Sequence, residues 1–190
     1  QFYRQLLERV RSVPGVKSAT LTTGIRMATI LPDGYQFPAG QNSATHSAMW
    51  IDDGFFDTLA IPILRGRGFR ATDSVGAPGV AVVTQKIAQD YWPGQDPIGK
   101  RFRLDSSNGP SIEVVGVAKP NNFLQFGSSP VDFVYFPYAQ TAKQHPLTLL
   151  TQTAGDPTAL AGPLREVVRQ LDSNQPIYNV GTLQAIYGAM

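Results

Sequence analysis

Apolar side chains recur at helical spacing from the first residues onward. Phe2, Leu6, Leu7, Val10 and Val13 fall on one side and Arg4, Glu8, Arg9 and Arg11 on the other, which predicts an amphipathic helix over residues 1–12. Pro14-Gly15 stops it. Residues 16–22 then alternate apolar and small polar side chains as a half-buried strand does, whereas residues 24–43, rich in Gly, Pro, Asn and Asp, read as a long surface loop. A second strand is expected over 46–52, followed by a short helix over 54–59 that Pro62 limits.

The same alternation of strand and helix returns near the other end. Residues 147–153 are strand-like, and Asp156-Pro157 supplies an N-cap with proline at the first helical position. Leu160, Leu164, Val167, Val168 and Leu171 make one apolar stripe, each worth about 1.5–3 kcal/mol when fully buried. Beyond Gln175-Pro176, residues 177–180 are expected to form a closing strand, and Thr182 to cap a last helix carrying Leu183, Ile186 and Tyr187.

Between these halves the pattern is denser. Residues 80–83 form an apolar run suited to a buried strand, Thr84 is placed to cap a helix that turns Ile87, Ala88 and Tyr91 to one face, and Pro93-Gly94 ends it. Residues 100–104 alternate charged and apolar side chains, and 112–117 pair with them across the 105–110 turn, where positive φ is expected at Asn108 or Gly109. The sum is an α+β fold of two lobes: residues 1–64 and 134–190 give the two halves of a split βα lobe, and residues 65–133 a small α+β lobe inserted between them.

Composition narrows the function classes. With 42% apolar and 16% charged residues the chain is an ordinary globular sequence. Its 16 basic and 14 acidic residues are scattered, so nucleic-acid binding gains no support. Cysteine is absent, which removes disulfides and thiolate chemistry. No apolar run is long enough to span a bilayer, and the start Q-F-Y-R-Q-L-L lacks the pattern of a signal peptide. The missing initiator Met and a start in mid-helix suggest a piece of a longer protein.

Candidate chemistry is sparse. G-x-x-x-x-G-K at 94–100 fills most of a phosphate-loop pattern, but Arg101 stands where a magnesium-binding hydroxyl belongs, Pro97 removes a donor, and a strand is expected to follow. A plain turn is the favoured reading. His46 and His145, the only histidines, lack acidic neighbours at metal-ligand spacing, and no metal site or cofactor is assigned. Asp52, Asp53 and Asp57 sit at a strand-to-helix junction, where capping is the commoner use of Asp. No catalytic residue is assigned, and an enzyme is not expected. Two surface features remain: a basic patch of Arg65, Arg67, Lys100, Arg101 and Arg103, otherwise a solvated strand face, and Phe123, Leu124 and Phe126, candidates for a protein or lipid contact or else a plug at the lobe junction.

Several runs also carry a resemblance. R-G-R-G-F at 65–69, V-A-V-V-T-Q-K-I-A-Q-D-Y-W at 80–92, D-P-I-G-K-R-F at 96–102 and E-V-V-G-V at 113–117 resemble the extracytoplasmic domain of MacB/FtsX-like ABC transporter permeases. D-G-F-F-D-T-L at 53–59, V-Y-F-P-Y at 134–138 and Q-T-A-G-D-P at 152–157 extend it over most of the chain. The resemblance implies a porter-like split lobe with a sabre-like insertion, lying in the periplasm or outside the cell. It also implies flanking transmembrane helices in the same permease, a cytoplasmic ATPase subunit or domain, and engagement of a second permease copy or a periplasmic partner. The long 24–43 stretch and compact middle lobe depart from MacB itself, so an outer-membrane channel partner is not carried over. A stand-alone extracytoplasmic ligand-binding or sensor module is the alternative.

Overall fold

The computed structural model describes residues 2–126, 129–141 and 146–187. Helix α1 (Phe2–Arg11) leads into strands β1 (Val16–Thr23), β2 (Arg26–Pro32) and β3 (Ala44–Ile51), then helix α2 (Phe55–Thr58) and strand β4 (Ile63–Gly66). Strand β5 (Gly79–Thr84), helix α3 (Gln85–Tyr91), and strands β6 (Arg101–Leu104), β7 (Ser111–Ala118), β8 (Asn121–Phe126), β9 (Ser129–Val131) and β10 (Phe133–Pro137) follow. Strand β11 (Leu147–Thr153) and helices α4 (Ala161–Leu171) and α5 (Leu183–Tyr187) complete the α+β architecture.

The main sheet closes on itself. Its strand order is β10-β5-β7-β6-β2-β3-β1-β11, and β10 also pairs with β3, so β3, β10, β5, β7, β6 and β2 form a ring. The β3–β10 pairing is parallel, with Phe133 to Pro137 opposite Ser47 to Ile51. All six ring strands contribute to one apolar cluster: Ala28 and Ile30, Ala48, Val134 and Phe136, Ala81 and Val83, Val114, and Phe102. Ile87, Tyr91 and Trp92 of α3 join that cluster. The alternate residues of β3, β10 and β5, Met49 and Ile51, Phe133 and Tyr135, Val80 and Val82, pack into a second cluster with Phe55 and Phe56 of α2. These strands are therefore buried on both faces, which is why F-V-Y-F and V-A-V-V are continuous apolar runs. Strand β6 keeps the alternating pattern, with Phe102 inside the ring and Arg101 and Arg103 exposed.

Outside the ring, β1 and β11 pair antiparallel, and α1 and α4 cover them. Leu6 and Val10 of α1, Ala19 and Leu21 of β1 and Val168 of α4 form this third cluster, with Leu147, Leu149, Leu164, Val167 and Leu171 packed around it. Asp156 caps the approach to α4 as expected, accepting a hydrogen bond of 2.9 Å from the Thr158 backbone N–H. Hydrogen bonds cross between the three stretches 1–64, 65–133 and 134–190, since β2 pairs β6 and β3 pairs β10.

Four expectations are corrected. Residues 24–43 are not one loop: Arg26–Pro32 is strand β2, bound by β3 on one edge and β6 on the other. Its register with two neighbours supplies the stability that its Gly- and Pro-rich flanks concealed. Residues 177–180 form no strand; Asn179 takes φ +51°, which breaks an extended run, and Ile177, Tyr178 and Val180 are 40%, 78% and 44% exposed. In the β6–β7 turn, positive φ occurs at Asp105 (+67°) and not at Asn108 or Gly109, with the Asp105 N–H bound to the Thr29 carbonyl at 2.8 Å. Thr84 stands at the start of α3 but gives its hydroxyl to Asp132 Oδ1 at 2.9 Å instead of capping the helix.

The crossing of β4 over the end of β7 is tight. Gly66 lies opposite Gly116, and a Cβ on Gly116 would stand 2.1 Å from the Arg67 carbonyl oxygen. Just beyond, Arg67 grips Asp73 through two bonds of 2.7 and 3.0 Å, and the Arg70 N–H adds a third of 2.8 Å, folding the stretch before β5 back on itself. Burial pushes the Asp73 carboxyl up, but the hydrogen bonds from Arg67 and Arg70 outweigh it and hold the group below the usual range.

Gly116→Ala is expected to lower unfolding free energy by about 2–3 kcal/mol, whereas Gly162→Ala in α4, with nothing within 4 Å of the new Cβ, raises it by about 0.5 kcal/mol; urea melts of both variants check the contrast. Asp73→Asn leaves the Arg67 guanidinium without its carboxylate and costs about 2 kcal/mol at pH 7. Because the folded carboxyl titrates below the unfolded one, its contribution is complete above about pH 4 and is lost as pH falls through the folded value. The gap between wild type and variant therefore narrows in melts below about pH 4.

Candidate functional site

The ring and the helix-covered β1–β11 pair meet along β1 and β3, and the backbone alone hardly joins them. Only Thr22 and Ile51 are paired across this line in the ladder. Side chains supply the rest. Asp52, just past β3, accepts hydrogen bonds from the Thr20 hydroxyl, from the Leu21 N–H at 3.2 Å and from the Gly54 N–H at 3.1 Å, while its own N–H donates to the Leu21 carbonyl at 3.1 Å. Thr23 Oγ1 accepts from the Trp50 N–H at 3.1 Å. At the same junction, beside Gly54 and Asp52, Arg11 of α1 donates to the Ala19 carbonyl at 2.9 Å.

The local reason for this arrangement is a conflict between burial and pairing. Thr20, Thr22 and Thr23 are buried, and a buried hydroxyl or backbone group without a partner costs about 1–3 kcal/mol. Where β1 and β3 diverge, threonine oxygens and one carboxylate stand in for missing ladder bonds. Burial raises the Asp52 pKa, while the Thr20 and Leu21 hydrogen bonds pull it back. Asp52 also accepts from the Gly54 N–H in the turn before α2, but no side chain caps that helix, so the capping expected of Asp52, Asp53 and Asp57 is corrected: Asp52 ties β1 to the turn instead. Sequence reasoning passed over Thr20 and Thr23. The available signal was three threonines, Thr20, Thr22 and Thr23, gathered around Leu21 in the second half of the strand.

The basic candidates are brought near one edge of β7, since β6 pairs with its first half and β4 with its second. They do not form a free cationic surface. Arg65 pairs with Asp96 at 3.1 Å, Arg67 with Asp73 at 2.7 Å and Arg101 with Glu113 at 2.9 Å. Lys100 donates to Gln95 Oε1 at 2.6 Å, and Arg103 reaches the Gly109 carbonyl at 3.4 Å. Phe123, Leu124 and Phe126 lie on β8, which pairs antiparallel with β9 in a separate two-stranded sheet. The side chains of these three lie outside the described residues.

The remaining candidates resolve into packing. His46 Nε2 meets the Tyr91 hydroxyl at 2.6 Å, and Tyr35 stacks edge-on to Tyr91 at 4.9 Å, tying the 33–43 loop to α3. Burial lowers the His46 pKa against the pull of Asp132 and Asp90. Burial, with Tyr35 and Asp90 nearby, pushes Tyr91 up to about 12. His145 lies outside the described residues. Gly94 and Gly99 take φ of +70° and +82° in a turn that enters strand β6, so the 94–100 run opens no helix and builds no phosphate cradle. Among the described residues no three His, Asp or Glu side chains gather as a metal-binding group, and no helix is long and apolar enough to cross a membrane. One shallow cleft of about 430 Å³ lies between α3 and this turn, lined by Arg65, Gln85, Gln89, Trp92, Asp96 and Pro97 among others.

Comparison with known proteins places the chain in a family. The permease YknZ of Bacillus subtilis (strain 168), described as an uncharacterized ABC transporter permease, is 21% identical over 187 residues, covering 95% of this chain and 44% of YknZ. The chain thus spans less than half the length of that relative. The crystal structure of the periplasmic region of MacB from Actinobacillus actinomycetemcomitans superposes with a TM-score of 0.68 at 15% identity, over 98% of this chain and 81% of that one. The extracellular domain of YknZ from Gram-positive bacteria gives 0.58 at 17% identity, over 90% and 82%. Residues 2–167, from α1 well into α4, match the MacB-like periplasmic core domain, and the chain belongs to that family.

Proposed function

We propose that this chain is the extracytoplasmic part of an ABC transporter permease and couples ATP-driven movement of flanking transmembrane helices to engagement of a substrate or partner outside the membrane. In this reading it is not catalytic; ATP is hydrolysed by a cytoplasmic ATPase subunit or domain. Residues 1–64 and 134–190 are the arms that receive the movement, and residues 65–133 are the inserted part that meets the partner. Strands β2, β3 and β10 are shared between them.

The single observation that carries the reading is the seam between β1 and β3. The block formed by α1, α4, β1 and β11 has its own apolar cluster, and a ladder of one residue pair, the Thr20, Thr23 and Asp52 hydrogen bonds and the packing of Leu150 on the cluster under α2 join it to the ring. A joint of this kind transmits displacement while letting two rigid bodies change angle, because few bonds need to re-form and both cores stay intact. Phe123, Leu124 and Phe126 remain the proposed partner contact, on a hairpin outside the main sheet. No anionic partner is assigned to Arg65, Arg67, Lys100, Arg101 and Arg103, since Asp96, Asp73 and Glu113 already neutralise three of the five.

The test is a distance measurement on the intact permease with its ATPase. Spin labels at Arg165 on α4 and at Val75 in the stretch before β5 are expected to give different distances in the nucleotide-free and ATP-bound states. Asp52→Ala combined with Thr23→Val should cut that difference by about half or more. Identical distances in the two states of the wild-type protein would sink the coupling role. Saturable small-molecule binding by the 190-residue chain, without such movement, would favour the sensor alternative.

A further inference from the structure

The 33–43 loop joins β2 to β3 and is held to the rest of the molecule by two side chains. From Asp33 to Asn42 every residue is exposed except Tyr35 and Phe37, which pack against the cluster inside the ring. Among the described residues, the loop backbone bonds to another element only at its base, where the Asp33 N–H donates to the Arg101 carbonyl at 2.9 Å. Both anchors rest on one residue. Tyr35 meets the Tyr91 ring edge-on at 4.9 Å, Phe37 lies 6.4 Å from it, and the two anchors meet each other at 4.8 Å. Tyr91 in turn is fixed by its hydroxyl, 2.6 Å from His46 Nε2, with no second hydrogen-bond partner among the described residues. The loop therefore hangs on a chain of contacts that ends in a histidine.

We propose that His46, Tyr91 and Tyr35 form a proton-sensitive latch, which holds the 33–43 loop against α3 while His46 is neutral and releases it when His46 takes up a proton. The latch is independent of the coupling role proposed above. A neutral imidazole can donate to the Tyr91 hydroxyl or accept from it, so the bond is satisfied in either tautomer. An imidazolium can only donate. The hydroxyl proton must then turn away, and among the described residues no other partner receives it. The charged groups around His46 do not rescue the cation. Asp132 and Asp90 favour it and Lys86 opposes it, but Asp90 already pairs with Lys86 at 2.8 Å and Asp132 already takes the Thr84 hydroxyl at 2.9 Å. The neighbours on the sheet, Thr45, Ser47 and Ala28 opposite on β2, carry no charge, and Tyr91, pushed up to about 12, keeps its proton throughout. Burial is the largest influence and lowers the His46 pKa from its ordinary 6.5. A histidine whose pKa is lower in the latched form binds its proton better in the released one, so the latch is complete above about 6.5 and weakens as pH falls through the latched value. Opening would uncover Tyr91 and the apolar cluster against which Tyr35 and Phe37 pack.

These residues include no cysteine, so a single spin label reports cleanly. In the intact protein in its membrane, with any cysteine outside this stretch replaced, a label at Gln41→Cys reads the loop and one at Arg165→Cys on α4 serves as reference; both positions are exposed. Between about pH 8 and pH 5 the ratio of mobile to immobile Gln41→Cys label is expected to rise roughly fivefold, since one proton shifts such a ratio by at most about tenfold per pH unit. The reference label does not change. Tyr35→Ala, which removes an anchor, makes the loop label mobile at pH 8 already. His46→Gln, whose amide can bond the Tyr91 hydroxyl but takes up no proton, keeps it immobile over the whole range. Tyr91→Phe keeps the ring and drops the hydroxyl; it is expected to raise the mobile fraction at pH 8, and it tests the bond should His46→Gln not fold. A loop label equally immobile at both ends of the range overturns the proposal. So does a pH response that is the same with and without His46→Gln, a Tyr91→Phe variant as immobile as wild type at pH 8, or a parallel rise at Arg165→Cys, which would mean a general loosening in acid.

Discussion

The parallel pairing of β10 with β3 is the contact on which the rest of the molecule depends. It joins residues more than eighty positions apart, and until it forms, β5, β7, β6, β2 and β3 are an open sheet whose two apolar faces have nothing to close against. Once β10 is seated, Val134 and Phe136 complete the interior cluster, and Phe133 and Tyr135 complete the cluster under α2. Both clusters thus gain their last wall in one step. Closing a loop of that length costs entropy that grows only slowly with length, and the burial of four large or branched side chains, at about 1.5–3 kcal/mol each, offsets it.

Closure of the ring sets the character of the seam beside it. Strand β3 gives one edge to β10 from Ser47 to Ile51 and the first part of the other, Ala44 to Ala48, to β2, so β1 can reach only the end of that second edge, at Thr22 opposite Ile51. The ring strands are joined in a closed circuit of ladders, and α1 and α4 pack on the β1–β11 block. The weak line falls between two strong bodies, and it is there that buried threonines and Asp52 replace backbone bonds. In this member of the MacB-like periplasmic core domain family, the arrangement consists of two packed bodies and a short joint between them.

Charge is used locally in this molecule. Arg65, Arg67 and Arg101 each sit beside a carboxylate, so positions that look like a cationic stripe in the sequence become three separate ion pairs. Exposed pairs of this type contribute little to stability, and Arg101 stands on β6, whose two edges are already taken by β2 and β7.

The sequence by itself determined the elements with strong local signals. The stripe of Leu6 and Val10, the Asp156-Pro157 start, the alternation of Arg101, Phe102, Arg103 and Leu104, and the continuous apolar runs of β5 and β7 each fix a helix or strand through near neighbours, and the joined motifs were enough to resemble a family. Strand β2 was not legible because its identity comes from β3 and β6 on either side, and the 177–180 segment was misread because apolar alternation says nothing about whether a partner edge is in place. Closure of the ring, the Thr20–Asp52 joint and the pairing of each arginine with its carboxylate required the tertiary structure. All three are contacts between residues distant in the chain, and local spacing carries no record of which distant group will stand opposite.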